Sequence, residues 1–123
     1  MLKRTGTAIA AALLFGGTAL AQSEQYVEVN DSVMVAPFNL AVDDVDDRNV
    51  YDASGTEVGE VSEVLGSDDQ TPTHLEVDFE DDDSSTYPDR DDVIVPIADF
   101  SFTNDQIVIN LTPEDVTALP TRN

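Results

Sequence analysis

Residues 73–80, Thr-His-Leu-Glu-Val-Asp-Phe-Glu, alternate apolar and acidic side chains from Leu75 onward without a break. That period of two constrains the chain more than any other feature. Only an extended strand puts Leu75, Val77 and Phe79 on one face and Glu76, Asp78 and Glu80 on the other. Such a strand is half-buried and needs a sheet around it. Other β-type runs can supply one. Residues 26–36 hold two short runs around the turn cluster Asn30-Asp31-Ser32, and Pro37 ends the second. Residues 93–100 start as a strand and turn at Pro96, and 101–111 read as a hairpin around Thr103-Asn104-Asp105.

Helical signals are short. Val42 and Val45 stand three apart between acids, as in one helical turn that docks two valines. Thr112-Pro113-Glu114-Asp115 offers an N-cap, a proline at the first helical position and acids in the first turn. That helix should run to about Leu119, before Pro120.

The stretch Val50–Gly66 is ambiguous. Val58, Val61, Val64 and Leu65 fall at helical spacing, yet a helix would contain Gly59 and three valines, all poor helix formers. A strand over Glu57–Leu65 accommodates the β-branched residues, with a bulge or bend near Gly59 absorbing the slip in alternation. Gly55 permits the turn before it and Gly66 the exit after it. The expected core is Val58, Val61, Leu65, Leu75, Val77, Phe79, Val93, Val95, Ile107, Ile109 and Leu111.

The chain opens with Lys3 and Arg4, an apolar run over Ala8–Leu20 and Ala19-Leu20-Ala21. That is the pattern of a secretory signal peptide over residues 1–21. The run is too short for a membrane span, which needs about 20 apolar residues. The expectation is a mature chain from Gln22, periplasmic or secreted, with no membrane insertion after cleavage. The absence of cysteine means that a domain this small holds together without disulfides.

The mature part keeps three arginines, Arg48, Arg90 and Arg122, against all 26 acids, a side-chain charge of −23. A phosphate backbone needs a basic surface, so nucleic acid is excluded as a partner. The organised apolar runs argue against disorder. Self-repulsion on this scale strains a small fold in dilute buffer and is screened by salt, which points to halophilic adaptation.

Taken together, these residues resemble a PRC-barrel domain, the small β-barrel of the photosynthetic reaction centre H subunit and of ribosome maturation factors. The resemblance covers about residues 48–120. It rests on Val50-Tyr51-Asp52 with Gly55, Gly59 and Val61 running into Val64-Leu65. Val93, Val95 and Pro96 follow, and then Thr112–Asp115 with Pro120. It implies an all-β fold, a small PRC-type barrel with short peripheral helices including a C-terminal helical turn. Residues 22–47 would be an N-terminal extension with short strands and a helical turn. For function it implies a binding or adaptor module with no catalytic residues. The family's glycine-rich apolar loop is replaced here by the acidic stretch Glu80–Asp92.

Chemistry is sparse. His74, the only histidine, lacks a G-x-S-x-G partner motif and reads as an exposed residue at a strand start. Three acidic groups could bind a cation: Asp43, Asp44, Asp46 and Asp47; Asp68 and Asp69; and Glu80, Asp81, Asp82, Asp83, Asp89, Asp91 and Asp92 in an acidic loop over 81–92. None matches an EF-hand. The leading expectation is a non-enzymatic exported module that contacts another envelope protein. The alternative is a Ca²⁺-binding protein that uses loop 80–92, with a hydrolytic enzyme third. No cofactor other than Ca²⁺ is expected.

Overall fold

The computed structural model describes residues 26–80 and 86–122. Nine strands appear among them: β1 (Val27–Glu28), β2 (Met34–Val35), β3 (Leu40–Ala41), β4 (Asn49–Tyr51), β5 (Glu57–Asp68), β6 (Thr71–Phe79), β7 (Arg90–Pro96), β8 (Phe100–Thr103) and β9 (Gln106–Ile109). Two short helices accompany them, α1 (Val42–Val45) and α2 (Pro113–Thr117), with a 3-10 turn at Ile97–Asp99. The fold is all-β. The strands β7-β6-β5-β4-β9-β8 form one curled sheet, β1 adds to β5, and β2 and β3 make a separate ribbon. None of the helices among the described residues is long and apolar enough to cross a membrane.

β5 is the spine. Its Val61–Leu65 stretch faces Val77–His74 of β6, while its other side pairs with β4 at Glu57–Glu60 and with β1 at Leu65–Gly66. The register slips opposite Val58, and again between Val61 and Glu63. These irregularities explain the helix-like spacing of the valines. Each extra residue turns the next side chain back to the core, so Val58, Val61 and Val64 are all buried in a strand. The strand also runs past the expected end at Leu65, through Gly66 to Asp68.

The hairpin β8–β9 turns at Asn104-Asp105, both with φ near +60°, the two left-handed positions that a tight hairpin requires. β9 then lies parallel to β4, pairing Ile107 with Val50. The N-terminus of α2 is a reciprocal capping box. Asp115 N–H donates to Thr112 Oγ1, and Thr112 N–H donates to Asp115 Oδ2, both at 3.1 Å. Its C-terminal carbonyls are satisfied by Arg90, which donates to Val116 O at 2.6 Å and Leu119 O at 3.1 Å.

The core holds the expected residues with two corrections. Leu111 is only half-buried and packs at the margin, because β9 ends at Ile109 and Leu111 sits in the link to α2. Leu65 is fully buried but, like Ile94, stands outside the main cluster, on the opposite face of the sheet. The N-terminal part contributes Val29, Val35, Phe38, Val42 and Val45 to the same core as the sheet. The segment read as a signal peptide lies outside the described residues.

Candidate functional site

The sheet has a second, polar face over β5, β6 and β7. Alternation along β6 sends Leu75 and Val77 inward and Glu76 outward, yet Glu76 is only 6% exposed. A segment at residues 120–122 covers it. Ile94 N–H donates to Pro120 O at 2.9 Å, Arg122 N–H donates to Asp92 O at 2.8 Å, and Val93 faces Thr121. These are the two rungs of a short antiparallel ladder on the outer edge of β7. They place the Arg122 guanidinium over the sheet, with Nη1 3.1 Å from Glu76 Oε1 and Nη2 3.6 Å from Glu28 Oε2. Glu63 stands opposite Glu76 on β5. The Asp92 side chain hydrogen-bonds Glu76. The guanidinium thus pairs with two carboxyl groups, Glu76 and Glu28, while Glu63 and Asp92 stand beside Glu76.

Burial raises the Glu76 carboxyl above its ordinary value, the Asp92 hydrogen bond adds to this, and Arg122 opposes it. Burial also raises Glu63, helped by Asp46 and Glu28. Asp46, just after α1, goes up to about 6, through burial first and then through Asp31, Asp47 and Asp43. Its Oδ1 is buried and has no hydrogen-bond partner among the described residues. Asp52 is held low. Burial works against this, but the Ser54 hydroxyl and the N–H groups of Thr56, Ser54 and Gly55 outweigh it.

The described candidate cation ligands do not converge on one point. The described members of the 80–92 set do not form one loop, because β7 begins at Arg90 and takes Asp91 and Asp92 into the sheet. Asp92 has φ +59°, and its N–H donates to Asp78 Oδ1 at 2.8 Å. Glu80 and Asp89 are exposed, and Asp81, Asp82 and Asp83 lie outside the described residues. Asp43, Asp44 and Asp47 are exposed around α1. Asp68 accepts from Gln70 N–H at 2.9 Å and so shapes the turn between β5 and β6. Among the described residues no three carboxylates or histidines are placed to hold one metal ion. Calorimetry is the direct check: NaCl and CaCl₂ at matched ionic strength should stabilise the chain alike. Saturable binding of one Ca²⁺, lost on replacing Asp81, Asp82 and Asp83 with asparagine, would contradict this.

His74 is half-buried in the middle of β6 rather than exposed at its start. Its Nδ1 is 2.7 Å from Thr73 Oγ1, and its ring meets the Tyr26 ring edge-on at 4.8 Å. Near the β8–β9 turn, a shallow hollow of about 430 Å³ includes Arg48, Asn49, Tyr51 and Asp105 in its lining. Its cation is already engaged. Arg48 donates to Asp44 O at 2.7 Å and to Asp105 O at 3.1 Å, and lies over the Phe102 ring.

The raised carboxyls have a sign that can be tested. Asp46, Glu63 and Glu76 bind protons more tightly folded than unfolded. Their contribution is therefore complete below the unfolded carboxylate range, near pH 4, and fades as pH rises through the folded values. The lowered groups, Asp52 and Asp68, lose their contribution only as pH falls through values below that range. In dilute buffer the melting temperature should be higher at pH 5 than at pH 8, by about 5 °C, with a smaller gap in molar NaCl. Equal melting at both pH values would show that the carboxyls do not strain the fold.

The chain belongs to the PRC-barrel domain family: the family's model matches residues 39–116, well over half of the chain. The match begins ahead of Arg48, where the motif resemblance starts, and so takes in β3 and α1. The family's fold is in general a non-enzymatic one. No curated protein matches the chain.

The fold reaches the acidic face by a route that sequence alone conceals. Alternation marks Glu76 as solvent-facing, and nothing in residues 120–122 announces a strand. The one available signal is Arg122 itself, one of three arginines among the described residues in a chain with 26 acids.

Proposed function

We propose that the chain is an exported, non-enzymatic PRC-barrel module that binds another protein of the cell envelope, and that its acid-rich surface suits a saline medium. The observation that supports this most is the polar face on β5–β7. It is a sheet surface of a family barrel where carboxyl groups outnumber their one arginine. Such a surface favours a partner that brings positive charge, and the association should weaken with salt. The N-terminal pattern of Lys3, Arg4 and Ala8–Leu20 supports export. Salt adaptation follows from the charge of −23 expected for the mature part, which salt would screen.

The test is affinity capture with the mature chain from an envelope extract, at the salt of the native medium. The expected result is one stoichiometric partner, released by raising the salt further. Recovery of nothing, or of proteins held equally by the heat-unfolded chain, would reject the reading.

A further inference from the structure

We propose that residues 120–122 are a displaceable latch, and that the groove beneath them docks an extended, arginine-bearing segment of a protein partner. The inference deepens the proposed function and rests on it. The groove has two parts. One is the outer edge of β7, whose Ile94 N–H and Asp92 C=O point away from β6 and are met by Pro120 and Arg122. The other is the buried carboxyl of Glu76, with its side chain 8% exposed, flanked by Glu28 on β1.

The present occupant shows how the groove binds. A strand edge is read by backbone hydrogen bonds, and a neighbouring pocket selects one side chain. Here the backbone rungs are those of Pro120 and Arg122, and the selected side chain is a guanidinium. The Glu76 contact is charge-assisted and largely withdrawn from water, so it discriminates arginine from neutral residues.

The same geometry makes the occupant replaceable. Two rungs and the two ion pairs of Arg122, to Glu76 and Glu28, form a small holding area, and Arg122 remains a third exposed at its side chain. The cup is also under-neutralised, since Glu28 and Glu76 share one positive charge and Glu63 stands opposite Glu76 on β5. A longer partner strand could continue along Arg90–Pro96 and bring further positive charge, which the latch cannot do. Until displaced, the latch covers an edge that would otherwise pair with any extended chain.

The test uses the whole chain and two peptides. One is the acetylated, amidated peptide Leu-Pro-Thr-Arg-Asn, copied from residues 119–123, and the other carries glutamine in place of arginine. Binding is followed by NMR at the Val93 and Ile94 amides. In the wild-type chain the latch competes from within, so the arginine peptide should bind weakly. Arg122→Pro removes the guanidinium and the N–H that reaches Asp92, and should tighten binding by about tenfold. Arg122→Gln, the milder change, should fall between the two. The glutamine peptide should bind the opened chain several-fold more weakly, and adding Glu76→Gln should erase that difference.

Equal binding of both peptides to the opened chain would overturn the proposal. So would equal affinity for wild type and Arg122→Pro, or no saturable shift at Ile94 in either variant. These outcomes concern the groove alone. If the peptide binds as expected but envelope capture returns no partner, the module reading fails while the groove stands. If capture succeeds and the peptide does not bind, the partner uses another surface and this inference fails.

Discussion

Replacing Gly66 with alanine should remove about 3 kcal/mol of stability or more, among the larger effects of any single methyl group here. Gly66 lies inside β5, opposite Pro72 of β6, where the strand enters the turn at Asp69-Gln70. A Cβ at that position would stand 2.0 Å from Thr71 O, 2.8 Å from Thr71 C and 2.9 Å from Asp68 O. All three are backbone atoms, so no side-chain rotation relieves the clash. The turn itself would have to move, and with it the pairing of Leu65 with His74. Gly59 is a milder version, since its Cβ would meet Asp78 O at 2.5 Å. Gly55 differs in kind. It has open space around it but φ +92°, so alanine there costs strain of about 1–2 kcal/mol. Urea unfolding should rank the losses Gly66→Ala, Gly59→Ala, Gly55→Ala, largest first. A Gly66→Ala chain within about 1 kcal/mol of wild type, the range of surface changes, would show that the turn yields freely.

That order also shows what sequence could and could not convey. The three glycines of Val50–Gly66 signal backbone geometry in all cases, but the letter does not say which geometry. Gly55 does serve a turn. Gly66, expected as a strand exit, instead permits close approach of another backbone, and that neighbour is known only once β6 is in place.

Alternation succeeded where a strand has one wet face. Leu75, Val77 and Phe79 were legible because Glu76 and Asp78 separate them. The one-turn helix at Val42–Val45 and the capped turn at Thr112–Asp115 were legible for local reasons, since their signals lie within four residues. Buried residues in polar surroundings were not. Phe38, between Pro37 and Asn39, belongs to no periodic run, yet it is a core residue that meets Phe102. Tyr87 sits in the acidic stretch and is buried because it is carried back over Phe79. Glu76 was placed by its period on the wet face, and the period is right. Its burial comes from residues 120–122, about 45 positions along the chain. A carboxyl group so far along the chain from its partner cannot be paired with it by local pattern.

Truncating Phe79 to alanine should cost about 3–5 kcal/mol. Phe79 ends β6, pairs with Gly59 on one side and Arg90 on the other, and is fully buried. Its ring stacks on Tyr87 with centroids 5.8 Å apart and planes 10° from parallel. Removing it therefore leaves a void where three parts of the chain meet: the glycine bend of β5, the start of β7 and the segment carrying Tyr87. Gly59 has no side chain that could fill the space, and Tyr87 is tethered by its hydroxyl, which donates to Leu111 O. The site cannot collapse without breaking that bond, so the cost belongs at the upper end of the range. A domain of this size has a total stability of about 5–15 kcal/mol, so the loss is a large share of it. Leu111→Ala provides the contrast. Leu111 is half-buried at the margin, and its truncation should cost only about 1 kcal/mol. Chemical denaturation of the two variants beside wild type separates them. A Phe79→Ala loss no larger than that of Leu111→Ala would mean that the ring contributes little to the core, and the assignment of the inner face of β6 would fall with it.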